Sequence, residues 1–232
     1  MIIVRDRNTR GRTELGWLDS HHTFSFGQYR DPDQMGFGAL RVINDDRVIP
    51  GGGFGTHSHA DMEILSLVLE GALKHKDSMG TGSVIHPGDV QRMSAGTGVT
   101  HSEFNASDSE PVHFLQIWII PEARGIEPGY EQKRFPVEET HNHLRLVADR
   151  HGTDGAVTVH QDVRIYCGSL SDGVDVNYSV AAGRRLWLQV ACGIVRLNGD
   201  ELREGDGAAI TDEPRITLVS DHRADVLLFD LA

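Results

Sequence analysis

The stretch Gly51-Gly-Gly-Phe-Gly-Thr-His57-Ser-His59-Ala-Asp-Met-Glu63 decides how this chain is read, together with Gly96-Thr-Gly98-Val-Thr-His101-Ser-Glu103-Phe-Asn105 further on. Each holds two metal-competent side chains separated by one residue. On a β-strand, residues i and i+2 share a face, so His57 projects with His59, and His101 with Glu103. Two such strands facing each other inside a barrel would bring three imidazoles and one carboxylate together. A single His-x-His on a solvated strand is ordinary surface chemistry; two pairs on separate β segments, each flanked by turn glycines, point to a metal centre. Three imidazoles and a carboxylate suit a divalent first-row ion (Fe, Cu, Ni, Mn, Co or Zn) better than calcium or magnesium, which prefer oxygen. The set contains no thiolate, which excludes a Cys-rich structural zinc site. Four protein ligands on a five- or six-coordinate ion leave a position for water, oxygen or substrate.

Glu63 shares the parity of positions 57 and 59 and competes with Glu103 for the fourth place. The spacing favours Glu103, because it copies that of His57 and His59. Glu63 is then expected beside the site or in its pocket. His21-His22 and His141-x-His143 have no matching partner pair and read as polar surface or loop histidines.

Outward from these stretches the pattern is β throughout. Short runs rich in Val, Ile, Leu and Phe recur at 38–43, 64–69, 112–120, 164–168, 186–191, 216–219 and 225–231, punctuated by Gly-Asp, Pro-Gly and Asn-Gly turns. No segment carries a long helical period, so an all-β sandwich or barrel is expected. The 26 glycines fit a fold with many tight turns. Between Pro121 and Pro136 the text becomes proline-rich and mixed in charge, which places a boundary near residue 130 and domains at 1–130 and 131–232. Leu65 to Gly71 followed by Pro87-Gly88-Asp89 is echoed by Trp187 to Gly193 followed by Glu204-Gly205-Asp206. Each half thus reads as a copy of one β unit.

With 22 Lys and Arg against 34 Asp and Glu, the chain of 232 residues carries a formal charge of −12. That sign argues against nucleic acid or an anionic membrane surface as partner. No apolar run reaches the roughly 18 residues of a membrane span, and the N-terminal text turns charged after four residues. With Cys167 and Cys192 as the only cysteines, nothing implies an oxidising compartment, and the expected location is cytoplasmic. Thirteen histidines in so acidic a chain are unusual, and histidine is the commonest metal ligand.

Gly51, His57, His59, Glu63 and Gly71 resemble the first motif of the cupin superfamily, and Gly98, His101 and Asn105 its second. The interval from Glu63 to Gly71 is one residue longer than the motif allows, and Gly96 stands where the second motif has proline. More specifically, the blocks 22–27, 36–46, 53–64, 87–96, 101–105 and 115–119 resemble the pirin family; the likeness is thin beyond residue 130. The resemblance implies two cupin β-barrels in one chain. It also implies a metal held in the N-terminal barrel alone, by His57, His59, His101 and Glu103. Aligning the second copy on the first puts Ser179, Ala181 and Leu218 in place of the three histidines, so a metal-free second barrel is expected.

Some bacterial pirins are similar to quercetinases, so the resemblance implies a dioxygenase that cleaves flavonols such as quercetin with O2 and releases carbon monoxide. Glu103 would then be both ligand and the group that accepts the flavonol hydroxyl proton. Other pirins resemble redox-sensing interaction proteins, in which the oxidation state of bound iron alters affinity for a transcription factor without turnover. A cupin isomerase or epimerase acting on sugars is a third reading, which requires no oxygen. The partners expected are a small aromatic substrate and O2; nothing in the sequence supports a protein partner.

Overall fold

The computed structural model describes residues 1–232, and it is almost wholly β, with 22 strands and one short α-helix, Val137–Thr140. The chain forms two compact units. One comprises Gly11–Arg134 with Val157–Gln161, the other Met1–Arg10, Phe135–Ala156 and Asp162–Ala232. The expected boundary near residue 130 falls inside a strand, because Gly129–Arg134 pairs antiparallel with Asp89–Ser94 of the first unit. The proline-rich connection is therefore partly built into the sheet, and the chain leaves the unit only after Arg134. Two short segments also cross the simple division into halves. Ile2–Arg5 pairs with Gly207–Ile210 of the second unit, and 157–161 returns to the first.

In the N-terminal unit one sheet runs Gly129–Arg134, Asp89–Ser94, Glu63–Glu70, Val112–Ile119, Leu40–Val48, Leu18–His22, Gly11–Leu15. The other runs Gly53–His59, Val99–Asn105, Leu73–Asp77, Gly82–Ile85. The C-terminal unit repeats this order. Gly207–Ile210, Arg185–Cys192, Ala224–Leu231 and Val163–Leu170 follow one another in its larger sheet, and Val176–Ser179, Arg215–Val219, Ile194–Leu197 and Asp200–Arg203 form its smaller one.

The repeat extends to the turn glycines. Gly71 and Gly193 both have φ of +77°, and a Cβ on either would collide with a backbone carbonyl, that of Pro111 or that of Arg223. Only glycine takes that conformation and that approach together without strain.

Burial alternates cleanly along the inner strands, as a half-buried sheet requires. In the C-terminal unit the inward set is apolar: Val176, Val195, Leu197, Ile216 and Leu218 belong to one buried cluster. In the N-terminal unit the same face carries chemistry. Val99–Asn105 buries Val99, His101, Glu103 and Asn105 while Phe104 is exposed, and Leu73–Asp77 buries Leu73, His75 and Asp77 while its lysines are exposed. Apolar packing flanks this polar zone, with Leu18, Val48, Val68, Leu73, Ile85, Val112 and Phe114 in one cluster and Ile64, Met93, Ala95 and Val99 in another.

Candidate metal centre

Gly53–His59 and Val99–Asn105 pair antiparallel, with His101 directly opposite His57 and Val99 opposite His59. The register shifts between His101 and Glu103, so Glu103 faces Phe54 and the Gly55-Thr56 step is bulged. The freed carbonyl of Gly55 accepts from His57 Nδ1 at 2.8 Å. A carbonyl can only accept, so Nδ1 carries the proton and Nε2 keeps its lone pair. The rings of His57, His59 and His101 lie 4.4 to 4.9 Å apart, and one nitrogen of each falls within 4.8 Å of the others.

His101 is 2% exposed, yet neither of its ring nitrogens has a hydrogen-bond partner. Buried polar atoms are normally paired, so two orphans on one ring are what a missing ligand partner leaves behind. Burial, with smaller contributions from His101 and His57, pushes His59 down to about 4. Burial, followed by His57 and His75, pushes His101 down to about 3. Both imidazoles are therefore neutral near pH 7, which is the form that binds a metal.

Glu103 is also buried, and its two oxygens are held from behind: Oε1 accepts from Ser66 Oγ at 3.2 Å and Oε2 from Gln116 Nε2 at 2.8 Å. A carboxylate has about four acceptor positions, so these contacts orient Glu103 without filling it. Glu103 lies with His101 and a further histidine, His75, in a second group of close donors, all three buried. His75 faces Glu103 across the strand pair and bonds Asp77 Oδ2 through Nε2 at 3.0 Å.

Sequence reasoning missed His75, which has no partner at i+2 that makes a histidine pair. The alternation Leu73-Lys-His75-Lys-Asp77 does place it on the inner face.

Glu63 is not part of this cluster, nor does it line the neighbouring cavity. Its carboxylate accepts from Ser94 Oγ at 3.0 Å and from the His160 backbone N–H at 3.3 Å, with His160 Nδ1 also 3.3 Å away. The parity count failed because the strand does not continue from His59 to Glu63: Asp61 turns left-handed at φ +50° and a new strand begins at Glu63.

His22 also departs from expectation. It is 1% exposed, bonded to Thr13 Oγ1 and Asn44 Oδ1 at 2.8 Å each, because its strand lies between two others and not at the surface. His141 and His143 are exposed, as expected.

A cavity of about 540 Å³ opens beside the histidines. Its lining includes four aromatic residues, Trp17, Phe26, Phe54 and Trp118, with Trp118 edge-on to His59 at 5.0 Å and to Phe26 at 5.3 Å. Polar side chains line it too: Thr13, Ser20, His22, Asn44, Asp46 and Gln116. Burial, partly offset by the Ser20 hydroxyl and reinforced by Asp45 and Glu103, pushes the Asp46 carboxyl up to about 7. Its volume and its mix of apolar and polar side chains are those of a small-molecule pocket.

In the second barrel no ligand occupies the matching place. Leu218 is fully buried opposite Val176, and Ser179, which chain counting sets at the place of His57, lies opposite Arg215.

Comparison with known proteins agrees over the whole chain. The Pirin family model matches residues 3–119, and a model described as the quercetinase C-terminal cupin domain matches 146–231. A quercetin 2,3-dioxygenase of Escherichia coli strain K12 is 50% identical over 231 residues, which is 100% of this chain and 99% of that protein. The crystal structure of YhhW from Escherichia coli superposes with a TM-score of 0.96 at 50% identity, covering 100% of this chain and 98% of that one. Bacterial pirin YhhW in complex with nickel(II) superposes at 0.94 with 49% identity, covering 100% and 99%. Matched in both halves and along its full length, the chain belongs to the pirin family and carries that family's two cupin barrels.

Proposed function

We propose that this protein is a metal-dependent dioxygenase that cleaves flavonols such as quercetin with O2. The observation that carries this reading is the pair of unpartnered nitrogens on buried His101, beside His57 and His59 at the mouth of a cavity lined in part by aromatic residues. The donor set fits a divalent first-row ion: His57, His59 and His101 would hold it, with Glu103 as the carboxylate, steadied by Ser66 and Gln116. The nickel complex of the bacterial pirin and the name of the 50% identical relative support the same assignment.

Such an ion supplies Lewis acidity and open coordination positions for an electron-rich enol and for dioxygen. The protein's own residues do the remaining work. Trp17, Phe26, Phe54 and Trp118 hold a flat ring system and exclude water, which strengthens every polar interaction inside. The Glu103 carboxylate accepts the proton of the reacting ring hydroxyl, and Gln116 and Ser66 hold its oxygens for that task. His57 is kept in one tautomer by the Gly55 carbonyl, so its Nε2 lone pair is always presented.

The test is anaerobic loading with Fe(II), Cu(II), Ni(II), Mn(II), Co(II) or Zn(II), followed by oxygen and assay of flavonol loss and carbon monoxide. Turnover with at least one ion, lost in His57→Ala, is the expected result. Silence with every ion, together with protein capture that depends on the oxidation state of bound iron, would replace the enzyme by a redox-sensing interaction protein. Activity that persists without oxygen would point to isomerase chemistry instead.

A further inference from the structure

Two carboxylates stand side by side on the strand Leu40–Val48 and meet opposite fates. Asp45 is paired: His113 Nε2 lies 2.7 Å and Arg47 Nη1 3.2 Å from its Oδ1. Asp46, turned to the other face, lines the cavity together with Asn44. Asn44 Oδ1 is taken by His22 Nδ1 at 2.8 Å, and Ser20, opposite Asp46 in the sheet, bonds its carboxyl. Asp46 Oδ1 has no partner, although the residue is only 2% exposed. An unsatisfied buried acceptor is costly to a fold, and one left on a cavity wall is a place kept for a ligand's donor. The metal-competent histidines belong to the other sheet and line the same cavity, so one ligand there can meet both.

We infer that Asp46 is a specificity-determining residue whose free carboxyl oxygen accepts a hydrogen bond from a phenolic hydroxyl of the substrate other than the one that reacts. This rests on the flavonol reading of the same cavity. Burial pushes the Asp46 carboxyl up to about 7, and the charges of its chain neighbour Asp45 and of Glu103 across the cavity add to that, with His22 the other titratable group on the same sheet that lines the cavity. Whether protonated or ionised, the carboxyl keeps a carbonyl-type oxygen able to accept. The cavity therefore favours polyhydroxylated flavonols over those that retain only the reacting hydroxyl. The discrimination belongs to Asp46, whereas contact with the apolar ring faces binds either kind equally.

The experiment compares quercetin with 3-hydroxyflavone, which keeps the reacting ring hydroxyl and lacks the others. Dissociation constants are measured under nitrogen on metal-loaded protein, so that binding is read without turnover. Wild type is expected to prefer quercetin by about 10- to 100-fold, the range for one hydrogen bond to a charged or polar group. In Asp46→Ala the preference shrinks to within about threefold, the loss falling on quercetin alone. Asp46→Leu, which fills the space and removes the buried polar atom, gives the same collapse and guards against a misfolded alanine variant; thermal melting checks both. An unchanged preference in the variants, or an equal loss for both flavonols, overturns the inference while leaving the proposed function standing if wild type turns flavonols over. Wild type that neither binds nor consumes any flavonol overturns both.

Discussion

Where the N-terminal barrel sets His57 against His101, the C-terminal barrel sets Val176 against Leu218. The strand order is the same, down to a pair of glycines with identical φ, and the difference that matters for chemistry lies in what points inward. The contrast extends to buried charge. Asp230 in the second barrel is 1% exposed and fully engaged, accepting from Tyr178 and Arg184, which also reaches Asp162. Asp46 and His101 in the first are equally buried and keep unpartnered atoms. A polar group that has found its partners inside the protein belongs to the architecture; one left unanswered on a cavity wall awaits something from outside.

Four measurements would break or sharpen that division. The largest effect is expected from His101→Ala, which should abolish metal uptake and reduce flavonol turnover well beyond the ~10- to 100-fold that loss of an outer contact costs; metal content and steady-state rate read it directly. Leu218→Ala at the matching place should leave metal content unchanged and lower unfolding stability by about 2–5 kcal/mol, the range for a truncated core leucine. Metal lost from the Leu218 variant would refute the assignment of a purely structural role to the second barrel. Gln116→Leu frees one oxygen of Glu103 and should slow turnover by about 10- to 100-fold with metal still bound.

The smallest effect concerns pH. Asp46 has its carboxyl raised from 3.8 to about 7 in the fold, so the folded state binds that proton more tightly than the unfolded chain does. Its stabilising contribution is present in acid and is lost as pH climbs from about 4 through about 7. His59 and His101, held below the ordinary 6.5, act in the opposite sense and cost stability as pH falls below that value. Urea midpoints of metal-free wild type and Asp46→Asn at pH 5 and pH 8 isolate the Asp46 share: the variant should gain relative to wild type at the higher pH.

The spacing of His57, His59 and His101 carried the centre of the site, because strand parity needs only the local backbone. The β runs and the paired turn glycines carried the barrels for the same reason. What depends on pairing between distant strands was hidden. His75 joins Glu103 only through the register of Leu73–Asp77 against Val99–Asn105, and His22 is buried only because other strands cover it on both sides. Glu63 shows the limit of the parity argument itself, since one left-handed residue, Asp61, ended the strand on which the count depended. The pairing of Leu218 with Val176 has a similar origin: five residues, 180–184, join Val176–Ser179 to the next strand where three, 60–62, follow Gly53–His59, so counting back from the shared glycine stops short.

Residues 157–161 return to the first barrel, where His160 meets the buried carboxylate of Glu63, and residues 1–10 serve the second. Each barrel therefore includes a stretch of chain that is separated from the rest of it by part of the other. Exchanging one half of this gene with a relative's would set one parent's Ile2–Arg5 strand in the other parent's second barrel and one parent's His160 beside the other's Glu63. The two barrels are thus a single unit of selection.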